Sequence, residues 1–190
     1  MALRPPARLD ALRRALCPGN ETLYAVLDTA IDDTLYPRLQ EEPETSQARC
    51  LYDGDAAVRY ARYAPYLLRL HADSPLTRHW MAHGWPAHWG IFCAASSPPD
   101  ALKRHFKRFL SQSHQGKTVW LRFYDPRVLP KLLAELPNGA RSDFFGQTLI
   151  RHFGAPSGEH TLWKASAHSE GWLQRAVNAA QLHTQTLTLP

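Results

Sequence analysis

Residues 120–129 read WLRFYDPRVL and combine a strand pattern with a helix pattern. Apolar and polar residues alternate up to Asp125, which is typical of a strand with one buried face. Pro126 comes next, and the apolar residues beyond it recur at helical spacing as far as Leu136. We therefore predict a strand over residues 117–125, a corner at Asp125 and a helix that runs from Pro126 to Asn138-Gly139.

Strand and helix patterns also alternate on the N-terminal side of this stretch. Short apolar runs predict strands over residues 23–28, 51–52, 66–70 and 88–96. Amphipathic spacing, together with start and stop residues, predicts helices over residues 5–16, 56–62, 74–84 and 98–110. Strands that alternate with helices favour the α/β class, with a mixed or largely parallel sheet flanked by helices.

The pattern changes after Gly146. The segments TLIRHF and HTLWKAS predict two strands joined by the turn GAPSGE, and residues 169–183 have the spacing of a helix. We therefore predict an α/β core lobe over residues 1–146 and a small mixed or helical C-terminal lobe over residues 147–190.

Composition narrows the class of protein without identifying a partner. Of the 190 residues, 44% are hydrophobic and 21% are charged, which is typical of a folded domain. The formal net charge of +5 permits an acidic partner of any kind.

Cys17, Cys50 and Cys93 have no C-x-x-C spacing, so neither a disulfide framework nor a zinc ribbon is expected. No apolar stretch resembles an export signal or a membrane span, so we expect a cytoplasmic protein.

Asp28, Asp53 and Asp125 each follow a predicted strand, and this position allows two interpretations. Carboxylates at strand ends can hold Mg²⁺ or act as acid and base, as in a small metal-dependent hydrolase or phosphotransferase. Carboxylates before a helix can instead accept hydrogen bonds from the first-turn amides. We favour the structural interpretation because no nucleophile or phosphate-binding glycine loop accompanies the aspartates.

Two other groups have the spacing of a chemical site but lack its supporting residues. His79 and His83 are four residues apart on a predicted helix, yet no glutamate lies between them as in a zinc protease. Cys93, Ser96 and Ser97 lie near a strand end without a nucleophile-elbow motif. We therefore predict no catalytic residue, no metal ligand and no cofactor.

The helix that follows Pro98 has one strongly basic face. This face can be a solvated surface, a contact for an acidic protein or a site for nucleic-acid phosphates. Its phenylalanines fall on the apolar stripe, which makes base stacking and hence nucleic-acid binding a weaker alternative. Trp and Arg are frequent at the centres of protein interfaces. The candidate partner-binding residues are Arg104, Lys107, Arg108, Trp163, Trp172 and Arg175.

A series of sequence blocks resembles a bacterial family, domain of unknown function 4123. The blocks are YAVLDTA, CLYDGD, APYLLRL, GWPAHWGIFCAAS, LKRHFKRFL, LRFYDPRVLPKLL and SDFFG, which together span about residues 23–146. The pieces RFYDPRVL and WGIFCAAS, with the helix that follows the latter, are the most specific. Cys50 stands where the family pattern would have serine, a difference that bears on packing.

The resemblance implies a non-enzymatic role. Members of the family act as adaptor chaperones of the type VI secretion system, which bind a toxic effector and help to load it onto the trimeric VgrG-type spike protein. The expected partners are therefore two proteins, and neither a membrane nor nucleic acid is expected. Under this interpretation Asp125 orders the corner near Arg122 and Arg127, and the C-terminal lobe supplies the client-specific contacts.

Overall fold

A computed structural model describes residues 6–43, 47–114, 116–146, 149–167 and 182–190 of the chain. The helices are α1 (Ala7–Leu16), α2 (Leu35–Gln40), α3 (Gly54–Arg59), α4 (Pro75–His79), α5 (Pro99–Lys107), α6 (Leu129–Glu135) and α7 (Asn138–Phe145). A 3₁₀ turn (Ala61–Tyr63) follows α3, and a π-helical turn (Trp80–Gly84) follows α4. The strands are β1 (Thr22–Asp28), β2 (Arg49–Cys50), β3 (Pro65–Arg69), β4 (Gly90–Ala95), β5 (Ser111–His114), β6 (Lys117–Trp120), β7 (Ile150–Gly158), β8 (Thr161–Ala167) and β9 (Leu182–Thr188).

Seven of the strands form one sheet in the order β2-β3-β1-β4-β7-β8-β9. Each neighbouring pair in this sheet is antiparallel. The predicted mixture of helices and strands is confirmed, but the prediction of a mixed or largely parallel sheet is wrong. Near-continuous apolar runs such as YAVL and GIFCAA are characteristic of parallel strands because they are buried on both faces. Here the central antiparallel strands are also covered on both faces, so the same pattern arises without parallel pairing.

Two apolar clusters cover the two faces of the sheet. Side chains alternate along β4, so that Phe92 belongs to the first cluster while Ile91 and Cys93 belong to the second. Helix α1, α4 and the π-helical turn contribute to the first cluster, and helices α5, α6 and α7 contribute to the second. Both clusters contain residues with no exposed surface, and the sheet is therefore the middle layer of the fold.

The stretch around WLRFYDPRVL is less regular than its sequence pattern predicts. Strand β6 ends at Trp120 and pairs only with β5, in a separate two-stranded hairpin. Phe123 and Tyr124 are buried, yet they lie in turns rather than in a strand. The predicted strand over residues 117–125 is therefore wrong beyond residue 120. Burial requires only that side chains reach the core, and a turn achieves this as well as a strand.

The helix boundaries after Asp125 also differ from the prediction. Helix α6 begins at Leu129, after turns over residues 126–128, instead of at Pro126. Asn138-Gly139 does not end it but begins α7, with Pro137 as the N-terminal cap residue. Asparagine and glycine are common both after a helix and in its first turn, so their presence does not distinguish a stop from a new start.

The region after Gly146 continues the main sheet. Strands β7 and β8 confirm the two predicted strands, although the turn between them lies at residues 159–160 and not over 154–159. Strand β7 pairs with β4, so residues from both sides of the proposed lobe boundary share one sheet; the division at 146/147 stays a prediction. Leu182 and His183 belong to β9, which corrects the end of the predicted helix. Residues 169–181 of that helix lie outside the described residues.

Among the helices in the described ranges, none combines the length and apolar character that crossing a membrane would require.

Candidate interaction surface

Asp28 lies at the end of β1, where an ion pair holds it. Its side chain is 2% exposed and contacts the guanidinium of Arg122. The Ala30 amide donates to Asp28 Oδ1 at 3.1 Å, and the Asp28 amide donates to the Trp89 carbonyl at 2.8 Å. The buried carboxylate thus connects β1 to the segment between β6 and α6. The Asp28 carboxylate is thus buried, whereas the Arg122 side chain is about half exposed and reaches solvent.

Asp125 organises the turn that leads into α6. Its Oδ1 accepts hydrogen bonds from the amide and Nε of Arg127, both at 2.9 Å, and its Oδ2 accepts from Nη2 at 2.6 Å. Its carbonyl accepts from the amides of Val128 and Leu129 at 2.9 and 3.1 Å. The cap residue of α6 is Val128, which makes no side-chain cap. Asp125 therefore orders the turn before the helix and does not cap the helix directly.

Two tyrosines beside this corner, Tyr52 and Tyr124, have raised pKa values. Burial raises the pKa of Tyr124, and the nearby Asp28 carboxylate raises it further. Burial is also the first cause of the raised pKa of Tyr52. Burial alone would raise the pKa of Asp125, but hydrogen bonds from Arg127 and the charges of Arg127 and Arg122 lower it overall. The tyrosines therefore stay protonated and Asp125 stays ionised near pH 7.

Replacing Asp125 by asparagine is expected to cost about 1 kcal/mol at neutral pH. Asparagine can still accept the Arg127 amide, but it has no charge for the guanidinium. Because the folded-state pKa of Asp125 is lowered, the stability from this pair is present above the unfolded pKa of about 4 and is lost as the pH falls through the folded value. Urea unfolding curves of wild type and variant should therefore differ at neutral pH and converge in acid. The same difference at both pH values would contradict an electrostatic role for Asp125.

Asp53 holds α3 and α5 together through two lysines. It lies at the N-terminal cap position of α3, but its side chain makes no cap hydrogen bond. Its carboxylate instead pairs with Lys103 at 2.7 Å and contacts Lys107. The cap role that we predicted for the Asp53 side chain is therefore replaced by ion pairs, since both lysines lie on the facing helix.

The three aspartates pair with different basic side chains, although the charge of Arg122 acts on Asp125 as well as on Asp28. Within the described ranges of the chain, no three His, Cys, Asp or Glu side chains are grouped so that they could hold a metal ion. The shared metal site that the hydrolase alternative requires is thus not formed by these residues. The candidate nucleophile Cys93 is fully buried in β4, and burial raises the pKa of its thiol.

Large apolar side chains are exposed in two surface segments. In the described part of the chain, the exposed ones are Val58, Tyr60, Tyr63, Val119 and Trp120. The first three lie in α3 and the turn after it, and the last two lie at the end of β6. We call this set the aromatic surface. Trp120, at 64% exposure, makes an edge contact with the ring of Tyr52 at 6.0 Å, and Tyr52 directly precedes Asp53 and α3.

Sequence reasoning did not single out the aromatic surface. The signal was present in RYARY, where tyrosines alternate with arginines, and in KTVW, where a tryptophan closes a short polar strand. We interpreted KTVW as the start of a buried strand, and the hairpin instead leaves residues 117–120 exposed. Only the pairing of β6 with β5, away from the main sheet, reveals that this tryptophan faces solvent.

The other predicted partner-binding residues are dispersed. Arg104 is exposed on α5, whereas Lys107 forms an ion pair with Asp53. The guanidinium of Arg108 lies 5.4 Å from the centre of the Phe109 ring. Both residues line a pocket of about 110 Å³ between α5, α6 and α7. Trp163 is half-buried on β8, against the second apolar cluster. Trp172 and Arg175 lie outside the described residues.

Comparison with known proteins identifies the family. A search of curated proteins and a search of solved structures each returned no match. The family model described as Domain of unknown function (DUF4123) matches residues 23–143, well over half of the chain. The match begins at β1 and ends within α7, so it includes the Asp28–Arg122 corner, Asp125 and the aromatic surface. This chain therefore belongs to the family of domain of unknown function 4123.

Proposed function

We propose that this protein is a non-enzymatic adaptor chaperone of a type VI secretion system. It binds a toxic effector protein and helps to load it onto the VgrG-type spike. The observation that carries the proposal is the aromatic surface, in which two tyrosines, a tryptophan and two valines are exposed in two surface segments, with the Trp120 ring 6.0 Å from that of Tyr52 just before α3. Tryptophan and tyrosine dominate the energetics of protein interfaces, and clustered exposed apolar groups commonly mark interaction sites.

The framework beneath the hairpin supports a binding role. Leu121, the residue after Trp120, donates its amide at 2.9 Å to the carbonyl of Leu110, the residue before β5, and Leu110 is buried, which anchors the base of the hairpin in the core. Phe123 is buried two residues later, and Arg122 between them contacts Asp28. A side chain held on such a base loses little conformational freedom on binding, so more of its contact energy remains as affinity.

Exposed arginines on α5 and in the segment after β6 favour an acidic partner. Arg104 is exposed on α5, and Arg122 and Arg127 keep 49% and 59% of their side chains exposed despite their carboxylate partners. The chain as a whole carries a formal charge of +5. Complementary charges raise the association rate and disfavour wrong partners more than they raise affinity. We therefore expect an effector segment that combines apolar anchor residues with acidic residues.

The proposed mechanism is mass action on a folded client. A partner that binds only the folded, loading-competent effector stabilises it by roughly 2.7 kcal/mol when its free concentration is a hundredfold above Kd. Loading follows when the spike offers a competing or additional surface to the same complex. This mechanism requires surface complementarity and no chemical step on the adaptor.

Replacing Trp120 by alanine is expected to weaken effector binding by about 30-fold or more, the usual effect of truncating an interface hot spot. The stability of the free protein should change by less than about 0.5 kcal/mol, because the side chain is largely exposed. The measurement is calorimetric titration of the purified chain with the toxin encoded beside its gene, together with urea unfolding of the free variant.

Glu159→Ala is the control, since Glu159 is also exposed but lies at the turn between β7 and β8. It should bind like wild type. If Trp120→Ala and Tyr60→Ala both keep full affinity, the aromatic surface is not the effector interface. If the wild-type chain binds neither the neighbouring toxin nor the spike, the adaptor function itself is wrong.

A further inference from the structure

Two histidine rings lie side by side where α4 passes into the π-helical turn. His79 is the last residue of α4, and His83 lies within the turn Trp80–Gly84. Their ring centroids are 4.8 Å apart, with 53° between the ring planes. The sequence shows only their spacing, whereas the structure shows that the two rings reach the same place on the surface.

The separation of the rings suits one shared metal ion. An imidazole nitrogen lies about 2.0–2.1 Å from a bound zinc ion, and tetrahedral geometry then places two ligand rings about 5 Å apart, centre to centre. The distance between His79 and His83 is within a few tenths of an ångström of that value. The separation of the ring centres is therefore compatible with one nitrogen of each ring binding a common ion.

The base of the pair is rigid. Trp80, Met81 and Gly84 are buried beneath it, and a Cβ on Gly84 would collide with the rings of Trp80 and Trp89. The ring of His79 also packs 5.2 Å from that of Trp89. Ligands held by such packing lose little freedom on binding a metal, which favours affinity.

Two charged side chains act on His79, the Asp32 carboxylate and the Arg38 guanidinium. Arg38 opposes a bound cation, so affinity rests on the two imidazoles and on Asp32. Asp32 is fixed by Thr34, whose amide and hydroxyl donate to its Oδ1 at 2.8 and 2.7 Å, and its negative charge favours a nearby cation.

We propose that His79 and His83 form a two-histidine site for a first-row divalent transition ion. Imidazole ligands suit Cu²⁺, Ni²⁺ and Zn²⁺, and Cu²⁺ is expected to bind most tightly among them. No group of three or more ligating side chains occurs in the residues that the structure describes, so water completes the coordination shell. The inference does not depend on the adaptor role.

Tryptophan emission supplies the test, because the ring of Trp89 lies 5.2 Å from that of His79 and bound Cu²⁺ quenches nearby indoles. We would titrate CuCl₂ into the tag-free full-length protein near neutral pH. Saturable quenching is expected for wild type. The apparent Kd should be at least about tenfold weaker for His83→Ala, since even a group that only orients a ligand is worth about tenfold. Binding should be lost in the His79→Ala/His83→Ala double variant.

His160→Ala is the control for adventitious binding, since His160 is an exposed histidine at the turn between β7 and β8. It should quench like wild type. His83 is exposed, so its replacement leaves the fold intact, which circular dichroism checks. A second readout is the melting temperature, which ZnCl₂ should raise in wild type and in His160→Ala but not in His83→Ala. Non-saturable quenching, or equal affinity in wild type and His83→Ala, would overturn the proposal.

Discussion

Replacing Gly90 by alanine is expected to destabilise the protein by more than about 3 kcal/mol. Gly90 is the first residue of β4 and pairs with Leu27 of β1. A Cβ at this position would lie against the backbone carbonyl of Val26, far inside contact distance, and only 3.1 Å from the Trp80 ring. A backbone atom cannot rotate away as a side chain can, so the two central strands would have to separate.

Gly139→Ala is the matched control. Gly139 lies in the first turn of α7, and a Cβ there meets nothing within 4 Å. Alanine has the higher helix propensity, so this variant should be neutral or up to about 1 kcal/mol more stable. Chemical denaturation of both variants gives the two values. A loss of less than 1 kcal/mol in Gly90→Ala would mean that β1 and β4 do not approach as closely as described.

Replacing Phe123 by alanine is expected to cost about 3–5 kcal/mol. Phe123 has no exposed surface, and its ring centre lies 5.4 Å from that of Phe106 and 5.5 Å from those of Tyr124 and Phe144. Its loss leaves a cavity where α5, α7 and the turn before α6 meet. The neighbouring aromatic rings are too rigid to fill this cavity, which places the expected cost in the upper part of the range.

Two controls separate packing from surface chemistry at this site. Phe123→Leu keeps most of the apolar volume and should cost less than half as much as the alanine variant. Trp120→Ala removes a larger ring three residues away, yet it should leave stability nearly unchanged because that ring is exposed. Equal destabilisation by Phe123→Ala and Trp120→Ala would show that the hairpin and the turn are buried to the same degree, in conflict with the fold.

These two residues also explain why WLRFYDPRVL was only partly predictable. The alternation correctly indicated that Phe123 is buried and that Asp125 marks a corner. It did not indicate that the two residues belong to different structures. Trp120 ends the separate β5–β6 hairpin, whereas Phe123 lies in a buried turn. Periodicity reports which side chains face the core, but it carries no information on which strand will pair with which.

The acidic residues show a similar division. A position at a strand end suggested a structural role for Asp28, Asp53 and Asp125, and each of them does bind a basic side chain. The partner of Asp125 is two residues away and was within reach of local reasoning. The partners of Asp28 and Asp53 lie 94 and 54 residues away, respectively, and depend on how the helices pack on the sheet.

By itself, the sequence determined which segments are apolar enough to form the core and where most helices and strands begin, because local spacing and start residues act over a few positions. It also indicated the family through the blocks between about residues 23 and 146, and the family model matches residues 23–143. Only the tertiary structure decided the antiparallel order of the sheet and the exposure of Trp120. These features arise from contacts between distant residues, which leave no periodic trace in the chain.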